Sequence, residues 1–90
     1  MRLRDYLDRS PRGTGTELAL SIGVHRVLVS QWATGVRPVP AEHCPAIERA
    51  TAGKVTCEGL RPDVRWHRVR ERKWPHPAGR PFIDVAREAA

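Results

Sequence analysis

Two cysteines, Cys44 and Cys57, among ninety residues are too few for a disulfide framework. Both stand at apparent helix starts and are expected to be reduced, small apolar residues. A zinc site is equally poorly supplied: His43 adjoins Cys44, but no C-x-x-C or H-x-x-x-H spacing accompanies them, so no metal and no cofactor are expected. Apolar runs last only a few residues, far short of the roughly 20 that cross a bilayer. Asp5 and Asp8 interrupt the N-terminal stretch where a secretory signal would be apolar. A cytoplasmic protein with no membrane partner is expected. Serine, histidine and carboxylate residues fall in no recognisable catalytic spacing, and His76 is lodged between Pro75 and Pro77 without an evident partner, which argues against an enzyme. Repeats with a period of about 20–50 residues are missing, as is low-complexity sequence.

Acidic residues are also scarce, 10 against 16 Lys and Arg, leaving a net charge of +6. That balance favours a polyanionic partner, although charge without a motif is a weak cue. The length supports one domain and a tail, and a core this small gains from pairing with a second copy, so a homodimer is expected. Composition changes near Trp66. Residues 1–66 alternate short helical patterns with turn signals, whereas residues 67–90 hold three of the eight prolines and a basic run. The expected organisation is a helical domain over 1–66 and a basic, proline-containing tail over 67–90.

Leu3, Tyr6 and Leu7, at i, i+3 and i+4, predict a first helix ending near Ser10-Pro11. Thr14-Gly15-Thr16-Glu17 fits a capping box, with the Thr14 hydroxyl accepting from the Glu17 N–H, and predicts a second helix from about Gly15. Gly23 can take the left-handed conformation that ends a helix, with Val24 as an apolar anchor behind it. A third helix runs from about His25 to Thr34, stopped by Gly35, with Pro38 and Pro40 in an extended connection. Ala46, Ile47 and Ala50 stripe a fourth helix, in which Pro45 occupies the first turn or marks a break. Thr56 caps a short fifth helix through Leu60, with Val55 and Leu60 placed as a hydrophobic staple.

Helix two, a glycine turn and helix three make a helix-turn-helix, whose second helix lies in the DNA major groove. Ala19 is small where the two helices must approach, Gly23 supplies the turn, and Val24, Val29 and Trp32 bury the inner face. On helix three, Leu28, Val29, Trp32 and Ala33 gather on one side. Ser30, Thr34 and Val27 point the other way, flanked by Arg26 and Gln31. Arg26, Val27, Ser30, Gln31 and Thr34 are therefore the candidate base readers: Arg pairs with guanine, Gln with adenine, and Val meets the thymine methyl. The bland alternative is that these polar residues only solvate an exposed helix. Phosphate contacts are expected from the N–H groups at the start of helix two and from Arg12, Thr14, Thr16 and Arg37. His25 occupies the cap position of helix three and either caps it or meets a phosphate.

At Val29-Ser30-Gln31-Trp32, Gly35-x-Arg37-Pro38-Val39-Pro40 and Cys44-Pro45-Ala46-Ile47-Glu48-Arg49-Ala50-Thr51, continuing through Gly53 to Asp63, the sequence resembles the Cro/CI-like helix-turn-helix proteins. Among them it is most similar to the YdaS-type antitoxins of bacterial chromosomes and prophages. The resemblance covers about residues 1–66. It implies an all-α, compact five-helix domain of the lambda-repressor-like fold, followed here by the Pro/Arg-rich tail, and a transcriptional regulator, expected to be a repressor, that binds double-stranded DNA. It also carries over Ser30 and Gln31 as the recognition pair and Trp32 as the core anchor. His25 departs from the small capping residue of the family.

The tail leaves two readings open. Residues 61–74 carry six cations against Asp63 and Glu71, with Trp66 and Trp74 interleaved, which suits an arm along the DNA backbone. Alternatively the two tryptophans cover the helical core and the arginines face outward. Residues 74–81 read as a rigid extended connector, and Phe82, Ile83 and Val85 as a docking segment for the domain or a second subunit. The rival function is an antitoxin or adaptor that binds a toxin or another protein through this tail.

Overall fold

The helices form where local sequence dictates. In the computed structural model, which describes residues 1–83, α1 spans Leu3–Arg9, α2 Thr14–Ile22 and α3 Arg26–Thr34. A 3₁₀ turn, Ala41–His43, leads straight into α4, Cys44–Ala50, and α5 follows at Cys57–Leu60. Leu3 of α1 is buried, with Tyr6 and Leu7 half-buried beside it, and the helix stops where the Ser10 hydroxyl donates to the Tyr6 carbonyl at 2.6 Å, just before Pro11. Pro45 sits in the first turn of α4, where its missing N–H costs nothing. Thr56 caps α5, its hydroxyl oxygen accepting from the Gly59 N–H at 3.1 Å.

The capping box of α2 does not form. Gly13, at φ 93°, is the cap residue, so the helix starts one residue early, and the Glu17 N–H bonds to the Gly13 carbonyl at 3.0 Å. The Thr14 hydroxyl, already inside the helix, donates back to the Pro11 carbonyl at 2.6 Å. At the other end Gly23, at φ 77°, turns the chain, and the Val24 N–H reaches the Ala19 carbonyl at 2.9 Å. Cα-substituted residues are strained in this left-handed region by about 1–2 kcal/mol.

One core runs through all five helices: Leu3, Leu18, Ala19, Val29, Trp32, Val39, Cys44, Ile47, Val55 and Cys57. Trp32 stacks at a tilt over His43, with ring centres 5.6 Å apart. Burial pushes the Cys44 thiol up to about 12, and the Cys57 thiol is raised for the same reason. Both are thiols, not thiolates, at neutral pH.

The expectation of an all-α chain needs amending. Strands β1, Trp66–Val69, and β2, Arg80–Ile83, pair antiparallel with Trp66 opposite Ile83 and Val69 opposite Arg80. The stretch over residues 74–81 is thus not an extended connector; it folds through turns and ends inside β2. A Cβ on Gly79, at φ 99°, would overlap the Val69 carbonyl oxygen, so the return into β2 demands glycine. Ile83 is half-buried and Phe82 stacks on His67 with ring centres 5.6 Å apart; Val85 lies outside the described residues.

A fully buried carboxylate joins this hairpin to the helices. Glu48 of α4 is 0% exposed. Its Oε1 accepts from the Cys57 N–H at 3.1 Å and from Arg68 Nη2 at 2.6 Å, and its Oε2 from Arg68 Nη1 at 2.9 Å and Trp74 Nε1 at 2.6 Å. Arg68 also donates to Glu58 and to the Gly79 carbonyl. Of the two readings of the tail, half-buried Trp66 and Trp74 do face the helices, but Arg68 points inward with them.

Burial alone would raise the Glu48 carboxyl, but its bonds from Arg68, Trp74 and the Cys57 N–H outweigh that and hold it below the usual glutamate value. The Arg68 hydrogen bond lowers Glu58, and the Arg61 guanidinium holds Asp63 down at about 2. A carboxylate lowered in the folded state stabilises above its unfolded pKa and loses that contribution as pH falls through the folded value. The thermal midpoint is therefore expected to stay level from pH 7 to about 5 and to fall steadily below about 4.3, the unperturbed glutamate value. Melting curves by circular dichroism check this, and a midpoint unchanged down to about pH 3 would contradict it.

Candidate nucleic-acid interface

The α2–turn–α3 unit presents its outer face as the spacing predicts. Val29 and Trp32 are buried and Leu28 and Ala33 half-buried, whereas Arg26, Val27, Ser30 and Thr34 are exposed and Gln31 is half-buried at the flank. Ala19 is buried under α3, and Val24 packs against the core after the Gly23 turn. Ala19, Val24, Val29 and Trp32 thus pack on the inner side of the unit, while Gly23 stands exposed in the turn.

A concavity of about 610 Å³ runs between α3 and the first turn of α2. It brings together Arg26, Val27, Ser30 and Thr34 with Thr16, and Gly13 and Gly15 lie on its α2 side. The first N–H groups of a helix have no intrahelical acceptor, so this rim offers donors to an anion. The Thr34 hydroxyl donates to the Ser30 carbonyl at 2.9 Å, which leaves only its lone pairs facing outward. Val27, 49% exposed on this face, offers a methyl surface that water does not favour.

Other expected phosphate residues are placed around this face rather than in it. Arg12 is exposed in the turn before α2, while Thr14 is half-buried with its hydroxyl proton spent on Pro11. His25 caps α3: its Nδ1 accepts from the Val27 N–H at 3.2 Å. Arg37, after the Gly35 stop, lines a second concavity with Trp32, Thr34 and Val39.

That second concavity shows what sequence reasoning passed over. Arg2 and Arg4, at the start of α1, line it with Arg37, and Arg4 also lines the first concavity. Three arginines therefore flank the C-terminal half of α3. Their proximity depends on α1 crossing α3, which is a tertiary fact; the only local signal was the pair of cations ahead of Asp5. Asp8 also lines the first concavity, with Arg4 Nε 3.9 Å from its carboxylate. Among the described residues no three His, Cys, Asp or Glu side chains gather as metal ligands, and no helix is long and apolar enough to cross a membrane.

The family model described as "Bacterial toxin YdaS" matches residues 10–69, from the start of the helix-turn-helix through β1. A protein of Escherichia coli K12 named "Putative transcriptional regulator YdaS" is 53% identical over 58 residues, which is 64% of this chain and 59% of that protein. The chain thus spans less than two thirds of that relative's length. The solved structure of the Cro protein from putative prophage element Xfaso 1 of Xylella fastidiosa strain Ann-1 is 42% identical, with a TM-score of 0.57, over 72% of this chain and 97% of that one.

Proposed function

The chain belongs to the bacterial toxin YdaS family, and from that premise we propose that it is a sequence-specific regulator of transcription that binds double-stranded DNA through α3. The observation that carries this reading is the shared concavity in which Arg26, Val27, Ser30 and Thr34 stand beside the first turn of α2. Short polar and methyl-bearing side chains on one helix face can reach base edges in the major groove, and the helix start beside them can hold the backbone that frames those bases. The solved Cro protein shares this architecture. Two copies related by a two-fold axis would read half-sites about one helical turn apart. Repression follows from occupancy, since a duplex covered at an operator is closed to other proteins.

Base readers in this assignment are Arg26, Val27, Ser30, Gln31 and Thr34. Arg12, Thr16 and Arg37, the Nε2 side of His25, and Arg2 and Arg4 hold phosphates, whereas Thr14, whose N–H and hydroxyl both donate to the Pro11 carbonyl, has no donor left for one. The chemistry asked of these residues is recognition, not catalysis.

Selection of randomised duplexes by the purified chain at near-physiological salt tests the reading: an enriched motif with two-fold symmetry is expected, and no enrichment would overturn it. Arg37→Ala is expected to weaken binding to every duplex alike. It should also reduce the slope of log K against log salt by about one, the signature of one lost phosphate contact. Fluorescence anisotropy across a salt series, on the selected and a scrambled duplex, measures both.

A further inference from the structure

Arginine gathers a second time, away from α3. Trp74 lines two adjoining concavities of the hairpin side: Arg70 and Arg72 share the first with it, Arg49 and Arg80 the second. All four arginines are exposed, and no hydrogen bond or ion pair to another described residue occupies them. The hairpin's inward cation, Arg68, is spent on Glu48 and Glu58 and contributes nothing here. Against the four stand Glu71, in the first concavity, and the C-terminal ends of α2 and α4, in the second. The α2 end is weakened as a negative pole because the Gly23 and Val24 N–H groups bond its last carbonyls.

This surface is held in place before any ligand arrives. The Trp74 N–H is fixed on Glu48 at 2.6 Å, and the backbone of Pro75 packs close over Gly53, where a Cβ would stand 3.2 Å from the Pro75 carbonyl oxygen. Farther along the loop the Ala78 N–H bonds to His76 Nδ1 at 3.0 Å. Four forked guanidiniums, Arg70 and Arg72 on this loop, Arg80 at the start of β2 and Arg49 on α4, suit the paired oxygens of phosphodiesters, and the backbone that carries them has little ordering left to oppose binding. With its N–H engaged, Trp74 has no donor left to read a base.

We infer that the four arginines around Trp74 form a second surface for the phosphate backbone of duplex DNA, one that adds affinity for any sequence. It shares no residue with the α3 concavity. The two surfaces lie at opposite ends of α2: Gly15 and Thr16 face one, Ser21 and Ile22 the other, about 9 Å along the axis at 1.5 Å per residue. The inference extends the duplex-binding reading but does not depend on which bases α3 reads.

The test is the salt dependence of binding of the 90-residue chain to a random-sequence duplex, compared with the exposed-site variant R49Q/R70Q/R72Q. At about 0.9 units per lost phosphate contact, the log–log slope is expected to fall by about 2.7, with the melting midpoint unchanged. Repeating the comparison in an S30A/Q31A background separates the two surfaces: the same fall with no sequence preference left would show the hairpin acting on its own. A slope that the three substitutions leave unchanged in both backgrounds overturns the inference and assigns the arginines to an acidic protein partner or to solvent.

Discussion

Arg68→Ala is expected to destabilise the fold by about 3–5 kcal/mol, because it strands the Glu48 carboxylate in a fully buried position. Small domains are stable by only about 5–15 kcal/mol in total, so the loss takes up much of the margin. Glu48 would keep the Cys57 and Trp74 N–H donors but lose both guanidinium bonds, and Glu58 would lose its partner. Glu48→Gln is expected to cost less, since an amide keeps the shape and one acceptor oxygen while removing the charge. Replacing both, Glu48→Leu with Arg68→Leu, should recover much of the loss, because no buried unpaired charge remains and Glu58, half-exposed, is left to water. Urea unfolding of the three variants decides: if Arg68→Ala costs under about 1 kcal/mol, in the range of an exposed ion pair, the carboxylate is wetter than its burial implies.

This clasp also shows where sequence reading stops. The helices were legible because their signals are local: Gly23 and Gly35 stand at the left-handed stops of α2 and α3, and Thr56 accepts at the start of α5. The face of α3 followed from 3.6-residue periodicity alone, which is why Val29 and Trp32 are buried and Ser30 exposed as the spacing demands. The α2 capping box failed on a competition between near neighbours: Gly13 accepts the sharp turn, and the Thr14 hydroxyl finds the Pro11 carbonyl first.

The hairpin was illegible for a different reason. Trp66-His67-Arg68-Val69 lacks alternation, and Pro81 in β2 cannot donate to a ladder, so neither strand announces itself. What assembles the pair is Arg68 meeting a glutamate 20 residues away, and Glu48 reads in sequence like any charged residue of a short helix. The one clue was that Glu48 follows Ile47 directly on an otherwise apolar stripe, and a carboxylate there needs a buried cation. Of the arginines around Trp74, only Arg70 and Arg72 stood in the basic run read over residues 61–74; Arg49 comes from α4 and Arg80 from β2, so spacing could not group the four.

The S30A/Q31A double variant is expected to lose most of its sequence preference while folding normally. Both positions lie inside α3, where alanine is the better helix former, and no described hydrogen bond uses either side chain. The carbonyls of Ser30 and Gln31, which accept from Thr34 and from the chain after Gly35, are backbone groups that the substitutions leave in place. A bidentate Gln–adenine contact is worth about 1–3 kcal/mol of discrimination, and a two-fold dimer makes it twice, so about 2–6 kcal/mol should go at the selected site. That is roughly 30-fold at the lower end, because each 1.4 kcal/mol is a factor of ten. Affinity for a scrambled duplex, carried by phosphate contacts from Arg37, Arg2, Arg4 and the start of α2, should change little. Titration of the selected and scrambled duplexes at one salt concentration reads the difference directly. Equal losses on both duplexes would move Ser30 and Gln31 from reading bases to holding the backbone, and no loss on either would take α3 out of the major groove.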